Sequence, residues 1–222
     1  MKKKSSLFSL ISFIFIFNIF CFSISAQNSN SLTLEKICSS ISEKPNITGD
    51  FTQTKTILTN GRSLKSSGKF IICTLGIMWK TQKPFPSSLI LTEDKIIQVA
   101  ANGNKSVMNG EDNQIFSNIS NTLSSLFSGN IGELKNNFTY DFSTNINEEN
   151  LWDWTLSLFP KDFTIASVME NLTLSGTYSQ QESQTVLNSL LLTEISGNQT
   201  LYEFSNQTYP KEISENEKEI FK

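Results

Sequence analysis

The spacing of apolar and polar residues divides this chain into strands and helices. From Ile47 to Val99 the period is two or the apolar run is short, and turn chemistry recurs at Asn60-Gly61, Lys83-Pro84-Phe85-Pro86 and Glu93-Asp94. This predicts strands over 47–58, 64–73, 77–81, 88–92 and 95–100, with Gly68 marking a bulge or bend in the second. Asn102-Gly103 then precedes a short strand near Val107. The alternation is cleanest further on. Phe138, Tyr140 and Phe142 share one face against Asn137, Thr139, Asp141 and Ser143, and Trp152, Trp154, Leu156 and Leu158 do the same against Asp153, Thr155 and Ser157. Three more strands are expected over 170–178, 185–194 and 200–206.

Two stretches switch to helical spacing. Leu34, Ile37, Cys38 and Ile41 predict an amphipathic helix over 31–43, with Ser31 as its N-cap and Lys44-Pro45 as its stop. Ile115, Phe116, Ile119, Leu123, Leu126 and Phe127 predict a second over 114–128, opened by Asp112 or Asn113 and stopped by Gly129. Residues 161–168 read as a loop or helical turn, and 211–222 as a charged, solvated tail. The class is α+β, mainly β: a curved antiparallel sheet of about ten to eleven strands whose inner face is apolar, with two amphipathic helices to cover it.

The N-terminus changes the picture of where such a fold resides. Lys2, Lys3 and Lys4 precede an apolar run from Leu7 to Phe22 and small residues up to Ala26. This is the pattern of a cleaved secretory signal peptide over 1–26. An uncleaved anchor is the weaker reading, because the run falls short of the ~20 residues of a membrane span. Lipidation at Cys21 is weaker still, since Asn18, Ile19 and Phe20 are not the small residues expected before a lipidated cysteine. The expected organisation is therefore signal peptide 1–26, one domain 27–210 and the tail 211–222, in a chain of 222 residues.

Composition excludes several function classes. A formal net charge of -3 and a pI near 5.1 provide no basic field for nucleic acid. Histidine is absent, which removes the commonest general base and a usual metal ligand, so no catalytic residue, metal or cofactor is expected. The adjacent acidic pairs Glu93-Asp94 and Glu148-Glu149 read as solvated turns rather than as acid and base. Beyond the leader, Cys38 and Cys73 can pair in an oxidising compartment or be buried as small apolar groups, the second being favoured. The Asn-x-Ser/Thr triplets at Asn46, Asn137, Asn171 and Asn198 follow from a composition rich in these residues.

FTQTKT at 51–56, SGKF at 67–70, MWKTQKPFPSSLILT at 78–92 and KIIQV at 95–99 resemble the opening of LolA-type periplasmic lipoprotein carriers, as a divergent member. The resemblance implies an unclosed β-barrel with helices as a lid, and a carrier that takes acylated lipoproteins from the inner to the outer membrane. It also implies an ABC-type release complex at the inner membrane, an acceptor at the outer membrane and a periplasmic location; a monomer is expected. One departure falls at Cys73, Thr74 and Leu75, where the classical carriers hold an Arg that helps latch the lid.

A lipid role also follows from the pattern alone. An open, curved sheet encloses an apolar concavity, and each buried methylene contributes about 0.8 kcal/mol, so ~8 of them bring roughly 6 kcal/mol before ordering costs. The expected lining is Phe70, Ile72, Trp79, Leu89, Leu91, Phe138, Tyr140, Phe142, Trp152 and Trp154, with Phe116, Ile119, Leu123 and Leu126 beneath the lid. The bland alternative for any one of these is ordinary core. At the level of function the alternatives are a non-transporting lipid-binding or sensor domain, and an enzyme, for which no nucleophile and base can be assembled from the sequence.

Overall fold

Every turn signal read along the sheet segments falls between two strands. The computed structural model describes residues 31–109, 122 and 124–221. Its elements are α1 (Leu34–Ser42), β1 (Ile47–Ile57), β2 (Arg62–Cys73), β3 (Gly76–Lys83), β4 (Ser87–Leu91), β5 (Lys95–Val99) and β6 (Lys105–Asn109). There follow α2 (Ile131–Asn137), β7 (Phe138–Ile146), β8 (Trp152–Pro160), α3 (Phe163–Ala166), β9 (Met169–Ser179), β10 (Gln184–Glu194), β11 (Gln199–Thr208) and α4 (Glu215–Lys218), which runs into a 3-10 turn at Glu219–Phe221.

The eleven strands form one antiparallel sheet in the order β6-β5-β4-β3-β2-β1-β11-β10-β9-β8-β7. Two meanders, β1 to β6 and β7 to β11, are joined at the centre by pairing of β1 with β11, from Thr48 opposite Thr208 to Thr56 opposite Gln199. The edges β6 and β7 do not pair with each other, so the sheet stays an unclosed barrel. A sheet of this size curls as its strands twist, which gives it a concave and a convex face. The bend read at Gly68 is present: the β2/β3 register shifts between Ser67 and Gly68. A Cβ at that glycine would lie 2.0 Å from the Lys80 carbonyl oxygen, so the two backbones approach too closely for any side chain there.

The concave face holds the main core, with Phe51, Phe70, Ile72, Ile77 and Leu91 from the first meander and Trp154, Leu156, Leu158, Leu172 and Leu174 from the second. Helix α1 adds Leu34, Ile37, Cys38 and Ile41. Its N-cap is Thr33 rather than the expected Ser31: the Thr33 hydroxyl accepts the Lys36 N–H at 3.2 Å, and the helix starts two residues later. Ser40 fastens α1 to the β9/β10 hairpin, its hydroxyl donating to the Ser183 carbonyl at 3.0 Å and accepting the Thr185 N–H at 2.9 Å. The start of the helix expected over 114–128 lies outside the described residues, as does the leader expected over 1–26. Its end is helical over 124–127 and stops at Gly129, whose φ of 75° is the left-handed value a glycine stop requires. Helix α2 is an element the spacing did not predict. Asn130 caps it, its side chain accepting the Glu133 N–H at 3.3 Å and donating to the Glu133 carboxylate at 3.1 Å.

The tail expected to be solvated is instead partly packed. Ile213 and Phe221 are 6% and 8% exposed and lie on Ile71, Met78, Ile90 and Ile97 of the convex face. The cause is in β2 to β5, where FIIC, IMW, LIL and the Ile96-Ile97 pair of KIIQV are continuous apolar runs that send side chains to both faces. Ser214 and Glu217 form a capping box for α4. Asn46 helps hold the start of this segment, donating to the Pro210 and Lys211 carbonyls at 3.2 and 2.8 Å.

Candidate functional site

Strand register brings one set of alternating residues together over a hollow in the concave face. One wall is Phe51 and Gln53 of β1, Trp79 and Thr81 of β3, Ser87, Ser88, Leu89 and Leu91 of β4, and Gln98 to Ala100 at the end of β5. The facing wall is Met169 and Leu172 of β9, Leu190 and Leu192 of β10, and Tyr202 of β11. Pairings such as Trp79 opposite Leu89 and Leu190 opposite Tyr202 put each set on the same face. The enclosed volume is about 470 Å³, within the range of small-molecule sites.

An aromatic step crosses the floor of this cavity. The Tyr202 ring lies 6.0 Å from Phe51 and 6.1 Å from Trp79, both tilted. Among the described residues the lining contains no Lys, Arg, Asp or Glu, and burial pushes the Tyr202 phenol up, so it stays neutral. The polar lining groups are amides and hydroxyls: Gln53, which accepts from Ser66 at 3.1 Å, with Thr81, Ser87, Ser88 and Gln98. The wall runs from buried Leu91 to exposed Ser87 and Ala100, where the strands end. Such a hollow can hold an apolar chain.

The residues expected from the sequence divide into three groups. Trp79, Leu89 and Leu91 line the cavity. Phe70, Ile72, Leu126, Phe138 and Trp154 are at most 4% exposed and belong to the packed core. Phe70 stacks edge-on against Phe204 at 5.0 Å, and Trp154 is held against Gly176, whose Cβ would lie 2.6 Å from the indole. Phe142 and Trp152 pack against that core from its border, and Tyr140 is 37% exposed with the Lys135 ammonium 5.6 Å from its ring. None of these eight lines the cavity. Phe116, Ile119 and Leu123 lie outside the described residues.

The sequence reading missed Phe51, Gln53, Met169, Leu172, Leu190, Leu192 and Tyr202 as lining residues. The signal for the first two was present in the F-x-Q that opens β1, since alternate residues share a face. The others sit in strands that read correctly, but nothing local distinguishes lining from core.

At the opposite strand ends a second hollow of about 1070 Å³ has a different character. It is bounded by Ile72 to Ile77, Phe127 and Phe221 together with Glu93, Asp94, Glu133, Glu215 and Lys218, so charged groups stand beside apolar ones in its wall. Cys73, Thr74 and Leu75, the departure from the carrier pattern, fall in the β2/β3 turn on its rim. The helical cover is held instead by Ser40 on the β9/β10 hairpin and by Lys135 to Glu35, 3.1 Å, between α2 and α1. Cys38 and Cys73 are both free thiols. Burial, then the Glu35 carboxylate, pushes the Cys38 thiol up to about 11, and burial likewise raises Cys73.

A family model for the outer membrane lipoprotein carrier protein LolA matches residues 43–221. The chain belongs to the LolA family. That match extends from the end of α1 through β11 to the last turn on the convex face, so the packed C-terminal segment is part of the LolA domain. No curated relative matches the chain. Among solved structures, a DUF1329 family protein from Desulfovibrio piger superposes with a TM-score of 0.47 at 11% identity, over 82% of this chain and 92% of that one. A domain from Vibrio parahaemolyticus, named for outer membrane lipoprotein sorting, gives 0.45 at 10% identity, over 85% and 99%. LolA is a family of carriers rather than of enzymes, and among the described residues no helix is long and apolar enough to cross a membrane.

Proposed function

We propose that this protein is a periplasmic carrier that takes up the acyl chains of lipoproteins, or of a related lipid, in the concave cavity and moves them from the inner to the outer membrane. The observation that carries this reading is a hollow of about 470 Å³, without charged groups among the described lining residues, in an unclosed sheet of the LolA family. An acyl chain suits such a site because its whole binding energy comes from burial, at about 0.8 kcal/mol for each methylene removed from water. Trp79, Leu89, Leu91, Leu190 and Leu192 supply the contact surface, and the amides and hydroxyls toward the strand ends suit the polar end of the cargo. The signal peptide over 1–26 delivers the domain to the periplasm as a monomer. There an ABC-type complex at the inner membrane loads it, and an acceptor at the outer membrane unloads it.

Two measurements test this. Mass spectrometry of the natively purified protein should find acylated peptides or lipids bound at near one per chain; a protein that emerges empty and takes up no fluorescent fatty acid refutes the lipid site. Depletion in cells should leave lipoproteins at the inner membrane. Normal sorting with lipid still bound overturns carriage in favour of a sensor or storage domain.

A further inference from the structure

The two ends of the half-barrel differ in a way that cavity binding does not require. One end carries the β1/β2, β3/β4, β5/β6 and β10/β11 turns and the α3 connection from β8 to β9. Large apolar side chains stand exposed there: Leu58 at 65%, Phe85 at 75%, Phe163 at 86%, Val168 at 41% and Ile195 at 57%. The opposite end, with the β2/β3, β4/β5, β7/β8 and β9/β10 turns, exposes only Leu75 and Ile146 among the described residues.

Several of these side chains form one platform. The Leu58 N–H donates to the Asn198 side chain at 3.0 Å, and the Ile195 N–H donates to the Val168 carbonyl at 3.1 Å. Three neighbouring connections are thereby tied together, bringing Leu58, Ile195 and Val168 side by side with Phe163 at the far side. Phe85 stands at the same end in the β3/β4 turn, two residues before Ser87 of the cavity wall. Exposed apolar groups in this number mark a contact surface.

Charge selects the occupant. In the turns of the apolar end and the strand residues that bound them, the cations are Arg62, Lys83, Lys105 and Lys161 and the anions are Asp162 and Glu194. Asp162 caps α3, accepting the Thr164 and Ile165 N–H groups, and Glu194 pairs with Lys55 at 3.0 Å. Glu170 lies one residue inside β9. Arg62, Lys83 and Lys105 are exposed and have no ion-pair partner among the described residues. The other end reverses the sign, with Glu93, Asp94, Glu148, Glu149 and Glu182 against Lys95. A net charge of -3 thus conceals a molecule with a basic, apolar end and an acidic, polar one.

We infer that the basic, apolar end docks directly on an anionic lipid bilayer, with Phe85, Phe163, Leu58 and Ile195 entering the interface and Arg62, Lys83 and Lys105 meeting the headgroups. Apolar insertion and cation attraction are the two signals that together make interfacial binding firm, each cation contributing about fivefold near an anionic surface. The cavity wall reaches solvent at this same end, at Ser87 and Ala100, so the docked pose sets the hollow against the bilayer. The inference concerns the outer surface and does not depend on what the cavity holds.

Vesicle flotation with the purified chain tests it, using phosphatidylethanolamine with phosphatidylglycerol against phosphatidylcholine alone. Anionic vesicles should carry the protein up at low salt, and neutral vesicles at least tenfold less. The pair Phe85→Ser with Phe163→Ser should lower binding to anionic vesicles at least tenfold, and Arg62→Gln, Lys83→Gln and Lys105→Gln together about a hundredfold. Leu75→Ser at the acidic end should change nothing. Circular dichroism and uptake of a soluble fluorescent fatty acid, measured on each variant, should match the unaltered chain. Absence of flotation, or equal flotation on both vesicles, overturns the inference and assigns the end to a protein partner. Undiminished binding by folded variants also overturns it. Loss of fatty-acid uptake with flotation retained would instead count against the cavity alone.

Discussion

Two parts of one concave face have the same ingredients and opposite outcomes. Around β7 to β9, Trp154, Leu156, Leu158 and Leu174 are at most 1% exposed, because α1 and α2 press Ile37, Cys38 and Leu134 onto them. Around β3 to β5 and the far ends of β9 to β11, residues of the same kind surround about 470 Å³ of space. Residue type does not separate the two. Among the described residues, what separates them is whether a helix packs into the concavity, and that depends on connections rather than on strand sequence. The filled part serves stability, and the hollow part is the place proposed for cargo.

The sharpest test of that division is Trp154→Ala. Truncating a buried tryptophan should cost about 3–5 kcal/mol in urea unfolding, while affinity for a fluorescent acyl probe stays within about twofold. A stable variant with lost affinity would move Trp154 into the binding part. Next is Cys38, whose thiol is held near 11 against an ordinary 9.0. At pH 8 its thiolate should be roughly a hundredfold scarcer than that of an ordinary cysteine, so maleimide labelling of Cys38, followed by peptide mapping, should be slower by that factor or more. Acceleration of the labelling by bound lipid would show that the filled part opens, and the division would then hold only for the empty protein.

A smaller effect is expected from Leu89→Trp, which puts bulk into the hollow. Probe affinity should fall at least tenfold, about 1.4 kcal/mol, with little change in the unfolding midpoint. In a packed core the same enlargement would destabilise by about 1–3 kcal/mol, so a large midpoint shift would mean there is no usable space. The smallest effect concerns the cover. The Glu35 carboxyl is held below its ordinary 4.5 by a backbone N–H and by Lys135. A carboxylate with a lowered folded value stabilises above its unfolded value and loses that contribution as pH falls through the folded one. Glu35→Gln should therefore lower the unfolding midpoint slightly at pH 7, and the two proteins should converge once the pH falls below the lowered folded value.

Period-two patterning and turn chemistry made the sheet legible: Asn60-Gly61, the Pro84 to Pro86 corner and the Phe138 to Phe142 alternation all stand where they were read. Helix α2 was not legible by periodicity because it is only seven residues long, although Asn130 and Glu133 at capping distance signalled it. The buried side of the C-terminal segment was hidden because Ile213 and Phe221 are isolated among charges, while the matching evidence lay far away in the apolar runs of β2 to β5. The site was only partly legible. Trp79, Leu89 and Leu91 are legible because the first meander is rich in signal, whereas for Trp154 the pattern gives facing direction alone. A strand pattern tells which way a side chain points. It does not tell what stands opposite.

The pairing of β1 with β11 has a consequence for how the molecule comes into being. The Thr48 to Thr56 edge waits for a mate some 150 residues downstream, so a growing chain holds an unsatisfied ribbon of amides and carbonyls until its final strand emerges. Completion is slow by topology, and a nascent chain stalled before residue 199 is exposed to mispairing with its neighbours.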